Sequence, residues 1–188
     1  LKAERIRMSQ CMEEERLVWY VMRFLYNRKS DTRDRLDKAS VETFVPMRCE
    51  IKNRNGKKIR AYVPVIWDLL FVHSTEKVLA PFLEADNYFQ YRYRRGGRQA
   101  EPLIIPDSQM EQFINAVKGS ERPIYFTPQE LNIDKGTRIR IHGGPFDGIE
   151  GIFMKVKGAK AKRLVIELPN TLAVAVEVNP DLIEILSE

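Results

Sequence analysis

The chain has 188 residues, 44% hydrophobic and 30% charged, a balance that excludes wholesale disorder and fibrous repeats and leaves room for one sizeable core or two small ones. Its 31 basic and 26 acidic side chains give a net charge of +5, which tolerates an anionic partner without demanding one. No stretch approaches the roughly 18 uninterrupted apolar residues of a membrane span. The leading LKAERIRMSQCMEEER has no apolar core of a secretory signal, so the expected location is the cytoplasm. Cys11 and Cys49 stand apart, with no CxxC pair or His cluster beside them. They read as free thiols of a reducing compartment, and no metal site is expected.

Residues 1–16 alternate charges with little apolar periodicity and read as a tail. From Leu17, LVWYVMR is rich in β-branched and aromatic residues that fit a pleated, half-buried surface, which predicts a strand. NRKSDTRDRLDKAS then carries a Ser30-Asp31 start signal and predicts a short exposed helix held by Leu36 and Ala39, its charges forming a solvated face. VETFVPMRCEIKNRNGKKIRAYVPVIWDLLFVHS predicts two or three strands. Asn55-Gly56 marks a hairpin turn because both residues tolerate positive φ. Pro64 has no N–H for a ladder and belongs at an edge, a bulge or a bend.

Ser74-Thr75 can cap a helix running through Leu83, with Val78, Leu79 and Phe82 on one face. Pro81 inside it implies that the helix is short or kinked. NYFQYRYRRGGRQAEPLIIP reads as a hairpin around Gly96-Gly97. Asp107 follows as the cap of a helix carrying Met110, Phe113, Ile114 and Val117 at helical spacing. Antiparallel strands with about three helices make this first unit an α+β sandwich.

Gly119-Ser120, Pro123 and Pro128 interrupt the chain. The expected division is therefore a domain over 17–118, a linker over 119–134 and a second domain over 135–188, with the apolar Ile124, Tyr125 and Phe126 docking part of the linker on one of the two. Beyond Gly136 the chain alternates with period two: Ile139 and Ile141 against Arg138 and Arg140, then Ile152, Met154 and Val156, then Leu164, Ile166 and Leu168, then Leu172, Val174, Val176 and Val178, with a short apolar end at Leu182 to Leu186. Five short strands in so small a unit hide an apolar face by curling the sheet on itself, which predicts a small SH3-like barrel. In its GGPFDG corner, Pro145 presets a turn and Asp147-Gly148 makes the reversal. Gly151 lets the strand pass close to its neighbour, and Phe146 plugs the barrel end. For Gly136, Gly144, Pro145, Phe146, Gly148 and Gly151 a structural role suffices.

The pattern Lys135-Gly136, Arg138-Ile139-Arg140-Ile141, Gly144-Pro145-Phe146, Gly148, Gly151 resembles the KOW motif in the carboxyl-terminal domain of bacterial NusG transcription factors. The first unit resembles the NusG amino-terminal (NGN) domain in the same order: Trp19-Tyr20-Val21 in the first strand, Phe44-Val45-Pro46, Pro64 ahead of Leu70-Phe71-Val72, and Ile105-Pro106-Asp107 at a helix start. The resemblance covers roughly Leu17 to Leu186. Five residues, Val65 to Leu69, separate Pro64 from Leu70-Phe71-Val72, which is longer than the usual NusG link. Together with the extra tail, this is similar to the specialised UpxY-type paralogs that act on capsule polysaccharide operons. General NusG proteins carry a Phe-Gly-Arg segment that contacts ribosomal protein S10 or Rho. Here the corresponding residues are Glu167-Leu168-Pro169-Asn170-Thr171, which puts those two partnerships in doubt.

The resemblance implies an antitermination factor that binds RNA polymerase on the coiled coil of its clamp. By family position, the candidate polymerase contacts are Trp19, Tyr20, Trp67 and Phe71, although burial in the core is the default for aromatic residues on strands. Trp67 is the best placed, lying where the sequence departs from a simple strand. The run Tyr88 to Arg95 has two readings: rings and guanidiniums for a single nucleic-acid strand, or a hairpin with a buried aromatic face and a wet basic tip. In both, Arg94, Arg95 and Arg98 are candidate phosphate contacts, joined by Arg28 and Lys29. Lys155, Lys157, Lys160, Lys162 and Arg163 form a second basic cluster, readable as a solvated hairpin tip or as a site for RNA or an acidic protein.

Operon leader DNA or nascent RNA is the expected recruiting element. No cofactor and no enzymatic activity are expected, because His73 and His142 lie in no nucleophile or metal-ligand motif. Two rival functions are a general NusG-like elongation factor and a KOW-type RNA- or ribosome-binding protein. The latter would be expected to carry more positive charge than +5.

Overall fold

The computed structural model describes residues 16–24, 32–94, 100–132 and 135–186, so the expected tail lies outside the described residues except for Arg16. The chain divides into two compact units, Leu1–Pro106 and Asp107–Glu188.

The first unit is built on β1 (Val18–Arg23). β1 pairs antiparallel with β5 (Leu69–Ser74), which in turn carries β2 (Glu42–Phe44). Its other edge is shared by two short strands, β6 (Gln90–Tyr91) beside Met22 and Arg23, and β7 (Ile104–Ile105) beside Trp19 and Tyr20. The chain between β6 and β7 runs back antiparallel through the Tyr93–Pro102 bridge. That matches the expected hairpin, whose Gly96-Gly97 tip is outside the described residues.

One sheet face gathers Val18, Tyr20, Met22, Phe24, Leu70 and Val72 into a core with Leu36, Leu79, Phe82 and Phe89. Leu36 comes from α1 (Thr32–Lys38), whose predicted start at Ser30-Asp31 lies outside the described residues. Ala39 is exposed, so α1 is held by Leu36 and by Thr32, whose hydroxyl donates to Asp86 Oδ2 at 2.6 Å. Leu79 and Phe82 come from α2 (Glu76–Ala85), capped by Thr75 through the Val78 N–H. Val78 turns out to solvent, because the core face of α2 is the narrower stripe of Leu79 and Phe82. The helix runs through Pro81 to Ala85, beyond the expected end at Leu83.

The segment expected to give two or three strands gives four. Between β2 and β5 stand β3 (Met47–Arg54) and β4 (Lys57–Pro64), which among the described residues pair only with each other, as a two-stranded ribbon through the Asn55-Gly56 turn. Pro64 ends β4, where it forgoes a ladder bond at no cost, and the bend Val65–Asp68 follows.

The second unit is a six-stranded antiparallel sheet in the order β13-β9-β10-β11-β12-β8: β8 (Ile124–Phe126), β9 (Thr137–Ile141), β10 (Glu150–Lys155), β11 (Lys162–Leu168), β12 (Leu172–Val176) and β13 (Ile183–Ile185). β8 adds a strand to the five expected, and no ladder joins β8 to β13 among the described residues. Val178 lies beyond β12, outside any strand. α3 (Asp107–Gly119) buries Met110, Phe113 and Ala116 and packs on β11, β12 and the Gly144–Phe146 turn. Asp107 is its first residue rather than its cap, while Ile114 and Val117 are half-buried. By packing, then, α3 and Ile124–Phe126 belong to the second unit. The sequence reading set α3 in the first domain and Ile124–Phe126 in a linker.

The GGPFDG corner is a 3-10 turn over Gly144–Phe146, with Gly143, Gly144 and Gly148 all at positive φ. The Asp147 carboxylate accepts from the Gly143 N–H at 2.5 Å. Phe146 is buried against the last residue of α3, Gly119. At Gly151 a Cβ would stand 2.4 Å from the Val165 carbonyl oxygen on the neighbouring strand, so only glycine permits this approach. Gly151→Ala is accordingly expected to destabilise the protein by about 1 to 3 kcal/mol, read as a lower denaturant midpoint. An unchanged midpoint would show that β10 and β11 separate freely.

Candidate functional site

Aromatic contacts for a protein partner must be exposed, and the four candidates differ sharply in this. Trp19 is buried on β1 with its ring stacked on His73 at 4.8 Å. His73 in turn pairs with Glu42 through Nδ1 at 3.1 Å. Tyr20 is buried on the opposite face against Tyr91, with ring centroids 5.1 Å apart. Phe71 is fully buried, tilted against Phe44 at 6.3 Å. These three side chains hold the sheet together.

Trp67 alone of the four is exposed, at 47%. It sits on the bend between β4 and β5, and that bend is stapled. The Phe24 N–H donates to the Asp68 carbonyl at 3.1 Å, and the Leu69 N–H to Ile66 at 3.3 Å. Arg92 Nη2 donates to Asp68 Oδ1 at 2.8 Å and to its carbonyl at 3.2 Å, with Arg23 a further 3.7 Å ion pair. A large ring on a fixed turn loses little freedom when it is covered, which is the character of an interface anchor.

Of the candidate phosphate contacts, Arg28, Lys29, Arg95 and Arg98 lie outside the described residues. Arg94 is exposed, its backbone N–H bonded to Glu101. Of the two readings of the Tyr88 run, the rings support a mixed one: Phe89 is buried and Tyr91 half-buried, while Tyr88 and Tyr93 are exposed.

In the second unit Lys155, Lys157, Lys160 and Lys162 are exposed around the β10–β11 turn. The Lys155 ammonium is bonded to the Lys160 carbonyl, and that of Lys162 lies 5.9 Å over the Phe153 ring. Arg163 departs from this cluster. It is buried, donates to the Arg122 carbonyl at 3.3 Å and pairs with Glu177. A guanidinium so engaged ties β11 to the chain after α3 and is not offered to a partner. On the same sheet Arg140 donates through Nε to Glu150 at 3.0 Å, and His142 pairs with Glu184 at 2.6 Å. The His142 hydrogen bond holds the Glu184 carboxyl below its usual value, with the charges of His142 and Arg140 adding to the effect.

Sequence reasoning singled out the Asn55-Gly56 turn but assigned no role to the β3–β4 ribbon. The available signal was charge: between Met47 and Pro64 six basic residues flank the turn against the single acid Glu50.

Burial raises the Tyr20 hydroxyl to about 12, with the nearby Glu76 carboxylate adding to it, and burial does the same for Tyr125. Tyr91 is raised further for the same first reason. A neutral phenol favoured in the folded state stabilises fully below the ordinary value of 10.0 and is lost as pH rises through about 12. Ultraviolet titration is expected to show Tyr20 and Tyr125 ionising only well above the ordinary value of 10.0 and in concert with alkaline unfolding. Ionisation of every tyrosine in one step near 10 would mean that Tyr20 is accessible.

Comparison with known proteins gives two matches of different weight. The family model described as transcription termination factor NusG matches residues 17–114, slightly over half of the chain. The solved structure described as "Domain interaction in Thermotoga maritima NusG" aligns over 92% of this chain and 98% of that one, at 13% identity and a TM-score of 0.42. No curated protein sequence matches. The family assignment rests on the first of these.

Proposed function

Because the chain belongs to the NusG family of transcription factors, we propose that it is an elongation and antitermination factor that binds RNA polymerase through its first unit, with Trp67 as the anchor. The observation that carries this reading is the exposure of Trp67 on a hydrogen-bonded bend inside the family-matched span, where the other candidate rings are buried. The matched span ends at residue 114, inside α3. That supports 17–118 as the polymerase-binding domain, although the compact units divide at Pro106; a connector over 119–134 and a KOW domain over 135–188 rest on the sequence motif alone, and Ile124–Phe126 of that connector pairs with β12.

The mechanism is differential binding. A factor with affinity for the closed clamp that an open clamp cannot match shifts the equilibrium toward the elongating enzyme. A coupling of about 1 to 3 kcal/mol changes a pause equilibrium by about 5- to 150-fold. Such a factor acts in the cytoplasm and binds rather than catalyses.

The specialised, UpxY-like and operon-specific form of the proposal is supported by the β11–β12 turn. Leu168 and Thr171 are buried there, and only Pro169 and Asn170 face solvent. The turn offers neither the ring nor the guanidinium that the family resemblance links to ribosomal protein S10 and Rho. Capsule polysaccharide operons are the target class that the resemblance indicates.

Trp67→Ala is expected to weaken binding to purified polymerase about 30-fold, the roughly 2 kcal/mol of an interface hot spot, with no change in thermal stability. Unchanged affinity would remove the anchor. In transcription across a terminator, the factor is expected to raise read-through on its own leader and not on an unrelated template. Equal read-through on both would leave the general elongation factor as the correct reading.

A further inference from the structure

The β3–β4 ribbon is the least supported part of the first unit and the most highly charged. Its root is fixed: Pro46, Val63 and Pro64 are buried, and the Val65 N–H donates to the Pro46 carbonyl at 2.9 Å. Beyond the root, every residue from Ile51 to Arg60 is exposed. A two-stranded ribbon wet on both faces gains little from folding alone, so its side chains are not there for a core.

Their chemistry is one-sided. Arg48, Lys52, Arg54, Lys57, Lys58 and Arg60 stand against the single carboxylate of Glu50, an excess of five cations that equals the +5 of the whole chain. The remaining 25 basic and 25 acidic residues, out of 31 and 26, cancel. Glu50 pairs with Arg48 at 2.7 Å. Lys52, Arg54, Lys57, Lys58 and Arg60 have no ion-pair partner among the described residues.

The cross-strand register sorts the side chains. One face carries Cys49 with Tyr62, Ile51 with Arg60, and Asn53 with Lys58. The other carries Lys52 with Ile59, and Arg54 with Lys57 at the tip. Tyr62 and Ile51 are 73% and 71% exposed. Asn55 and Gly56, both at positive φ, close the tip as a two-residue turn that adds no bulk.

We propose that this ribbon is an arm that binds duplex DNA by laying its cationic tip into the major groove and against the flanking phosphates. The fit is one of size and charge. The major groove of B-form DNA admits a two-stranded β-ribbon, and eight residues per strand reach roughly 26 Å. The deep, narrow major groove of A-form RNA does not admit it. A single strand would call for a row of stacking rings, and Tyr62 is the only aromatic residue between Met47 and Pro64. Binding of this kind is dominated by phosphate contacts and carries little base preference. The proposal goes beyond polymerase binding and does not depend on it.

The test uses the full chain and short labelled nucleic acids, with no polymerase present, followed by fluorescence anisotropy over a salt series. Five phosphate contacts predict a slope of log affinity against log salt near about −4.5. Replacing Arg54, Lys57, Lys58 and Arg60 together by Gln is expected to flatten the slope by roughly 3 to 4 and to lower affinity for duplex DNA at least about tenfold at low salt. Lys77→Gln with Lys118→Gln, both exposed and outside the ribbon, is expected to change neither.

A wild-type slope in the ribbon variant overturns the proposal. So does equal loss in the Lys77 and Lys118 control, and so does wild-type binding to duplex RNA or single-stranded DNA as tight as to duplex DNA. The comparison of nucleic acids uses the unaltered protein and stands even if the fourfold variant fails to fold.

Discussion

Strand β1 is hydrogen-bonded along both edges, and every side chain from Val18 to Met22 is buried. Its upper edge is ordered by β5, whose partners Leu70, Phe71 and Val72 are equally buried. Its lower edge is divided between β6 and β7, with the Val21 N–H donating to Leu103 and the Val21 carbonyl accepting from Arg92. A strand so enclosed must be apolar on both faces. That is why VWYVM reads as a near-continuous hydrophobic run and not as an alternation. The first unit is arranged around this requirement: α1 and α2 supply Leu36, Leu79 and Phe82 to one face, and Trp19 with His73 occupies the other.

The same requirement sorts the aromatic residues into buried and exposed. Rings that close a core are not available for contact, so Trp19, Tyr20 and Phe71 serve the scaffold. What the scaffold leaves outside is the chain between β2 and β5, which carries both the ribbon and Trp67. These two features differ in kind. The ribbon is rooted only at its base, while the Trp67 bend is clamped by Asp68, Arg92 and Phe24. A clamped apolar ring suits a shaped protein surface, and a charged ribbon with little packing suits a polyanion whose attraction tolerates imprecise geometry.

Much of this arrangement was legible in the sequence. The β-branched and aromatic run at Val18, the Asn55-Gly56 turn, the Thr75 cap and the alternation after Gly136 are local signals, and each produced the expected element. What local pattern could not show was tertiary. Val78 has the right spacing for the face of Leu79 and Phe82, yet only packing decides how wide that face is. The apolar Ile124 to Phe126 was seen as docking somewhere. Its partner, β12, lies about fifty residues later in the chain, a distance over which periodicity carries no information. Arg163 looks like its lysine neighbours until Glu177 and the Arg122 carbonyl are brought beside it. The hairpin at Asn55-Gly56 was legible, but its independence from the sheet was not: Met47, Cys49 and Ile51 alternate in one strand and Ile59, Ala61 and Val63 in the other, yet the register sets the two series on opposite faces, so neither face becomes a core.

The division of labour between an enclosed β1 and an unsupported ribbon is a statement about local stability, and amide hydrogen exchange of the intact protein measures it directly. The slowest amides of the first unit are expected in β1 and β5, with those of β3 and β4 beyond the root at Met47 and Pro64 exchanging many times faster. Protection of the ribbon equal to that of β1, or early exchange of the Val21 amide, would contradict the account.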